Sequence, residues 1–253
     1  DTMVKGISLE GLRNLGYPEF YSKLYYDEGI DEIHYQDVVA SLYGRNTLDK
    51  IINKSAENIF VIVAVGGGIR CLDDIDRVLR NGADKVCLNT AAVNNPELIK
   101  IASKTYGSST ISVNVETQEI DGKFEVLVES GRQRTGKELF SYIDNIQKLG
   151  AGEICVTSIS HEGRLKGSNL NLYKTLRKYC SVPLIAHGGI QSKEEIYKLF
   201  SLADVDGVCI ASLLHYSYLI KQSTIRSEGR NVFLNSNKNT IAKENKIKIF
   251  DIK

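Results

Sequence analysis

The sequence predicts an α/β fold, a (β/α)8 barrel built from two similar halves. Three observations carry that expectation. Apolar, β-branched runs recur along the chain with helical patterns between them. Those runs are nearly continuous in hydrophobicity, as strands buried on both faces of a parallel sheet are. Three segments also recur in the same order, at a nearly constant spacing of half the chain. "GIDEIHYQDV" (29–38) matches "GAGEICVTSI" (150–159), "GGI" (67–69) matches "GGI" (188–190), and "DKVCLNT" (84–90) matches "DGVCIAS" (206–212). Units of that length exceed a solenoid repeat and suit two halves of one closed architecture.

The elements follow in order. Strands are expected at 32–37, 59–65, 85–88, 110–116, 153–158, 183–187 and 206–210. Helices are expected at 46–56, 72–81, 95–104, 137–148, 170–179, 192–201 and 213–220. In "NNPELIKIAS" (94–103) an Asn cap is followed by Pro96 at the first helical position. Alternating strand and helix implies parallel βαβ units with right-handed crossovers. A doubly wound open sheet is the alternative, but the G-x-G-x-x-G that would mark it is absent. "TQEIDGKFEVLVESGR" (117–132) places Asp-Gly between alternating runs and reads as a hairpin. The barrel is expected over residues 1–220. Residues 221–253 read as a polar tail or insertion ending in "KIKIFDIK", the start of a last element. The opening "DTMVKG" is too short for a strand, so the first strand is expected to be truncated or missing.

Composition narrows the function. The chain has 253 residues, 42% of them hydrophobic, enough for one large domain. A net charge of +1 gives no basic field for nucleic acid. No apolar run is long enough to span a membrane, and no signal peptide is present. Five cysteines, odd in number and without a C-x-x-C pair, suit a reduced cytoplasmic protein. The four histidines lack metal-ligand spacing, so neither a metal nor a cofactor is expected.

Barrel active sites lie at the C-terminal ends of the strands. The residues expected there are Asp37, Gly67, Gly68, Asn89, Thr90, Glu116, Thr157, Ser158, Ser160, His187, Gly188, Gly189, Ala211 and Ser212. A Gly pair leaving a strand can simply close a turn. Here each pair is followed one strand later by a small polar segment, Asn89–Thr90 or Ala211–Ser212. Backbone N–H groups and hydroxyls so placed suit a phosphate. Two such arrangements imply an elongated substrate with a phosphate at each end. Glu116, between them, reads as a general acid or base, or as a structural ion-pair partner. His187 reads as a proton carrier or a polar lining residue.

These residues resemble the cyclase subunit of imidazole glycerol phosphate synthase, a family of histidine biosynthesis. The resemblance runs from residue 3 to about 220 through "VKG" (4–6), "GIDE" (29–32), "VGGGIR" (65–70), "NGADKVCLNTAAVNNPELI" (81–99), "DGKFEV" (121–126), "GAGEICVTSI" (150–159) and "GVCIASLLH" (207–215). It implies a duplicated (β/α)8 barrel forming a heterodimer with a glutaminase, from which it takes ammonia. The ammonia joins a bis-phosphorylated ribulosyl substrate, and ring closure and cleavage follow. It implies that Gly68, Asn89 and Thr90 hold one phosphate, and that Gly163, Gly189, Ala211 and Ser212 hold the other. Lys5 matches the lysine of the mobile first loop. Glu32, Lys85 and Glu153 match charged residues at the opposite mouth, where ammonia enters, and Asp84 matches a glutaminase contact. Such rim charges also serve as ordinary salt bridges.

The sequence departs from the family pattern at named positions. One catalytic aspartate of the family would precede Asp1, and the other is replaced by Glu116. Ser160 and Glu162 stand where aspartates are usual, and His187 where a small residue is usual. Glu116 and "VVASLYGRNTL" (38–48) resemble a divergent branch tied to surface-polysaccharide loci, which supplies ammonia for amidating a nucleotide-linked sugar. A barrel that only binds a partner is the non-enzymatic alternative.

Overall fold

The computed structural model describes residues 3–7, 10–40, 48–219 and 249. Seven strands form a parallel sheet in the order β11-β10-β9-β6-β5-β4-β3. They are β3 (Glu32–Gln36), β4 (Ile62–Gly66), β5 (Lys85–Leu88), β6 (Ile111–Ile120), β9 (Glu153–Ser158), β10 (Leu184–His187) and β11 (Gly207–Cys209). All seven expected strands are present. Helices α2 (Asp49–Ala56), α3 (Leu72–Arg80), α4 (Thr90–Asn94), α5 (Glu97–Tyr106), α6 (Leu139–Lys148), α7 (Leu170–Arg177), α8 (Lys193–Ala203) and α9 (Ser212–Leu219) alternate with them. The sheet curls so that His34 on β3 lies beside Cys209 on β11, the two ends of the strand order. This is the (β/α)8 barrel architecture.

Period-two alternation sorts the side chains. Ile33, Val63, Val65, Val86, Val113, Val115, Ile154 and Val156 face the helices in one continuous core with Ile52, Ile75, Ile99, Ile143 and Ile146. Each such aliphatic side chain contributes about 1.5–3 kcal/mol by leaving water. The alternate positions face the barrel axis.

The half-barrel repeat reaches down to single hydrogen bonds. Asp84 donates its N–H to the Val63 carbonyl and accepts from the Val63 N–H through Oδ2, both at 2.9 Å. Asp206, its counterpart, does the same with Leu184 at 2.9 and 2.8 Å. Each aspartate thereby fixes the start of a strand against its neighbour.

Several elements differ from the sequence expectation, among them the short helix α4, which precedes the helix expected at 95–104. Helix α1 (Pro18–Asp27) was not expected; Tyr21 and Tyr25, one turn apart, bury its inner face with Leu214 and Ile249. Contrary to the expectation that the opening residues are too short for a strand, β1 (Met3–Ile7) forms one, because β2 (Glu10–Gly16) pairs with it antiparallel in a hairpin separate from the parallel sheet. The insertion after β6 has three strands rather than two. β6 turns at Asp121–Gly122 into β7 (Lys123–Val128), and β7 pairs with β8 (Gln133–Glu138). Helix α6 therefore starts at Leu139, capped by Glu138, whose carboxylate accepts from the N–H groups of Phe140 and Ser141. Pro96 is the cap residue of α5 rather than its first helical residue, and no side chain caps that helix. Apart from Ile249, the tail expected over 221–253 lies outside the described residues.

Candidate active site

The C-terminal strand ends gather most of the expected residues on one face. Gly67 and Gly68 follow β4 with φ of 98° and 72°, and Gly188 and Gly189 follow β10 with φ of 105° and 82°. These left-handed conformations favour glycine, and the surroundings enforce it. A Cβ on Gly67 would stand 2.8 Å from the Asp37 nitrogen, and one on Gly188 would stand 2.9 Å from the Ser158 carbonyl oxygen. Asp37 and Ser158 are themselves repeat counterparts. The two glycine pairs are one device used twice.

Around the second pair, Gly163, Gly188, Gly189, Ala211 and Ser212 line one pocket together with Glu162 and His187. Around the first, Gly68 follows β4 while Asn89 and Thr90 lead from β5 into α4. The β7–β8 connection reaches this side. Glu129, Ser130 and Gly131 have successive φ of 55°, 60° and 75°. The Glu129 N–H donates to Thr90 Oγ1 at 3.3 Å, and Ser130 Oγ donates to the Val38 carbonyl at 3.1 Å. Asp37 Oδ1 accepts from the Val39 N–H at 3.1 Å, closing a local turn.

Glu116 lies between the two cradles, on β6 and 8% exposed. Its Oε2 accepts the Gly131 N–H at 2.8 Å, and Asn89 hydrogen-bonds it from the first cradle. Burial pushes its pKa up to about 7, outweighing those hydrogen bonds. A carboxylate so tuned gives and takes a proton near neutrality.

His187 stands on the other side. Its Nδ1 is 2.9 Å from Thr157 Oγ1, and its Nε2 is 3.5 Å from Glu162 Oε2. Burial works against its charge, but Glu162 and other neighbours raise its pKa above the usual imidazole value. Tyr173, wholly buried on α7, accepts from the His187 N–H at 3.2 Å and donates to its carbonyl at 2.6 Å. That clamp fixes the end of β10.

The opposite mouth holds the charged residues. Lys85 Nζ lies 2.7 Å from Glu32 and 2.8 Å from Glu153. Burial opposes the Lys85 charge, yet hydrogen bonds to the two carboxylates hold its pKa above the usual value. Asp84 is adjacent in sequence, but its carboxylate is engaged with the β4 backbone. Ser112 pairs in register with Glu153 and Glu116 with Thr157, so the two mouths lie about 13 Å apart along β6. Lys5 lies on β1, paired through its backbone with Arg13.

Sequence reasoning missed the Glu129–Gly131 loop and the Tyr173 clamp, and it noted Glu162 only as a departure from the family pattern. The "ESGR" signal of small residues was visible; which side chain the loop would cover was not. Among the described residues, no group of three or more His, Cys, Asp or Glu side chains is arranged to hold a metal ion. No helix among them is long and apolar enough to cross a membrane.

Known proteins are similar to this chain over most of its length. A family described as histidine biosynthesis protein matches residues 2–219. Imidazole glycerol phosphate synthase subunit HisF of Legionella pneumophila is 46% identical over 194 residues, 76% of this chain and 92% of that protein. The HisF subunit of Natranaerobius thermophilus is 36% identical over 214 residues, 85% of each chain. With its repeated glycine cradles and its barrel, the chain belongs to the histidine biosynthesis protein family that includes these HisF subunits.

Proposed function

We propose that the chain is the cyclase subunit of an imidazole glycerol phosphate synthase, a lyase that uses ammonia on a bis-phosphorylated ribulosyl substrate. The observation that carries this reading is the pair of matching glycine cradles on one barrel face with Glu116 between them. Relatives of high coverage that bear the synthase name support it.

Each residue then has a task. Gly68, Asn89 and Thr90 hold one phosphate through backbone N–H groups and polar side chains. Gly163, Gly189, Ala211 and Ser212 hold the other. Fixing both ends places the reacting centre over Glu116 and lowers the entropic part of the barrier. Ammonia adds to the substrate carbonyl, and water leaves as the imine forms. Ring closure and cleavage of the C–N bond then release imidazole glycerol phosphate and an aminoimidazole carboxamide ribotide. Glu116 carries protons in these steps. Asn89 and the Gly131 N–H orient its carboxylate, and Thr157, Glu162 and His187 form a second polar wall.

The ammonia source is a glutaminase subunit docked at the opposite mouth, where Glu32, Lys85 and Glu153 stand and Asp84 flanks them. Complementation tests the reading. The full-length gene restores growth to a bacterial histidine auxotroph lacking the cyclase subunit, provided a compatible glutaminase is supplied. No growth with a well-folded, expressed protein would count against it.

A further inference from the structure

Three neighbouring parallel strands end in one row. Glu116 on β6 pairs in register with Thr157 on β9, and Thr157 pairs with His187 on β10. Neighbouring strands lie about 4.8 Å apart, so the Glu116 and His187 backbones stand about 10 Å from each other with Thr157 between them. The row continues past the strands. Thr157 Oγ1 is 2.9 Å from His187 Nδ1, and Glu162 Oε2, on the β9–α7 connection, is 3.5 Å from His187 Nε2. Hydroxyl, imidazole and carboxylate follow one another in a line. In that order a carboxylate orients an imidazole, and the imidazole exchanges a proton with a hydroxyl. Tyr173 keeps the line in place by holding both the N–H and the carbonyl of His187.

His187 and Glu162 also line the pocket of the second glycine pair. A phosphate ligand would turn its N–H groups toward the anion. Here one ring nitrogen faces a hydroxyl, and the other faces a carboxylate that repels a phosphate. Holding the anion falls to the glycine backbone and Ser212, and the three side chains serve another purpose. The chemistry supplies one. Ring closure removes a proton from the incoming nitrogen. Cleavage of the C–N bond sends its electron pair to the leaving nitrogen, which must take up a proton. Glu116 as a carboxylate meets the first demand, and a group acting as base cannot at that moment act as the acid.

We propose that Thr157, His187 and Glu162 form a proton relay, the general acid of the reaction opposite Glu116, with His187 holding the proton. The proposal rests on the cyclase reading and names the acid of that same site. As the C–N bond breaks, the Thr157 hydroxyl gives its proton to the leaving nitrogen and takes one from His187 Nδ1. Glu162 stabilises the imidazolium until then. The proton taken by Glu116 returns to solvent and the ring is recharged from solvent, so protons balance over the cycle. The groups facing the imidazole decide its charge. Burial opposes it, Glu162 and Cys209 on β11 favour it, His34 on β3 opposes it, and Glu116 favours it; the balance holds the His187 pKa above the usual imidazole value.

The test is turnover by the full chain with free ammonium as a function of pH. Activity is expected to rise as Glu116 ionises near pH 7 and to fall at higher pH as His187 loses its proton. His187→Ala is expected to lose about 10²–10⁴-fold in turnover, with KM little changed, and to lose the alkaline limb. Added imidazole restores turnover saturably, and that recovery shows the variant to be folded. Combining His187→Ala with Thr157→Val costs little more than either alone, because the two act as a unit. Glu162→Gln moves the alkaline limb to lower pH; it leaves the ring in place and decides the question if His187→Ala does not fold. Unchanged turnover in His187→Ala, a loss that imidazole does not reverse in a variant that melts like the wild type, or an unmoved alkaline limb in Glu162→Gln overturns the proposal. Wild-type protein that forms no product defeats the cyclase reading and the proposal with it. Product formed equally well without His187 defeats the proposal alone.

Discussion

The Gly131 N–H donates to Glu116 Oε2 at 2.8 Å, tying the connection between β7 and β8 to the carboxylate that β6 places between the two cradles. The hydrogen bond lowers the Glu116 pKa, but burial prevails and leaves it at about 7. The loop thus covers the carboxylate and aims it at once.

Replacing Glu116 with Gln tests chemistry more than packing, since the side chain keeps its size. Turnover is expected to fall about 10²–10⁴-fold, the usual range for a lost general acid or base. Substrate affinity, read by calorimetry, is expected to change little. Wild-type turnover with free ammonium would leave Glu116 a structural residue.

The same group makes a stability prediction with a definite sign. A folded-state pKa raised from 4.5 to about 7 stabilises the protein below the ordinary carboxylate range. That stabilisation is lost as pH rises through about 7, in total roughly 3 kcal/mol. Glu116→Gln does not titrate. Urea unfolding is therefore expected to show the variant gaining on the wild type between about pH 5 and pH 8. A constant difference across that window would refute the raised pKa.

Glu162→Gln removes the carboxylate 3.5 Å from His187 Nε2. The His187 pKa is raised partly by that charge, so the substitution is expected to lower it. A histidine titration by NMR reads the change directly. An unmoved or higher value would show that Glu162 does not act on the imidazole.

Gly189→Ala puts a Cβ against the Gly167 carbonyl and 2.9 Å from His161 Cβ, at a φ of 82°. Strain and crowding together are expected to cost roughly 2–4 kcal/mol. Gly122→Ala, at a φ of 76° with nothing within 4 Å of the new Cβ, pays only the backbone penalty. About 1 kcal/mol is expected there. Equal losses by thermal unfolding would contradict the close approach at the cradle.

Much of this fold was legible because buried parallel strands write long apolar runs. Ile62–Gly66, Lys85–Leu88 and Glu153–Ser158 read directly. The repeat was legible too, since Asp84 and Asp206 do the same job with the same residue. Helix α1 was not. Its inner face is built of Tyr21 and Tyr25, whose modest helix propensity gives no clear apolar period. The strand Gln133–Glu138 is polar throughout and exists because β7 supplies a partner. The meeting of Glu162 with His187 is a tertiary event with no local signal. The meeting of His34 with Cys87 and Cys209, and of Cys209 with Cys155, is likewise a tertiary event with no local signal.

The most direct measurement is turnover of the bis-phosphorylated ribulosyl substrate by the purified chain with ammonium as nitrogen donor. Imidazole glycerol phosphate and the aminoimidazole ribotide are expected in equal amounts, with both lost in Glu116→Gln. Substrate that binds tightly but yields neither product, from a folded protein at saturating ammonium, would contradict it.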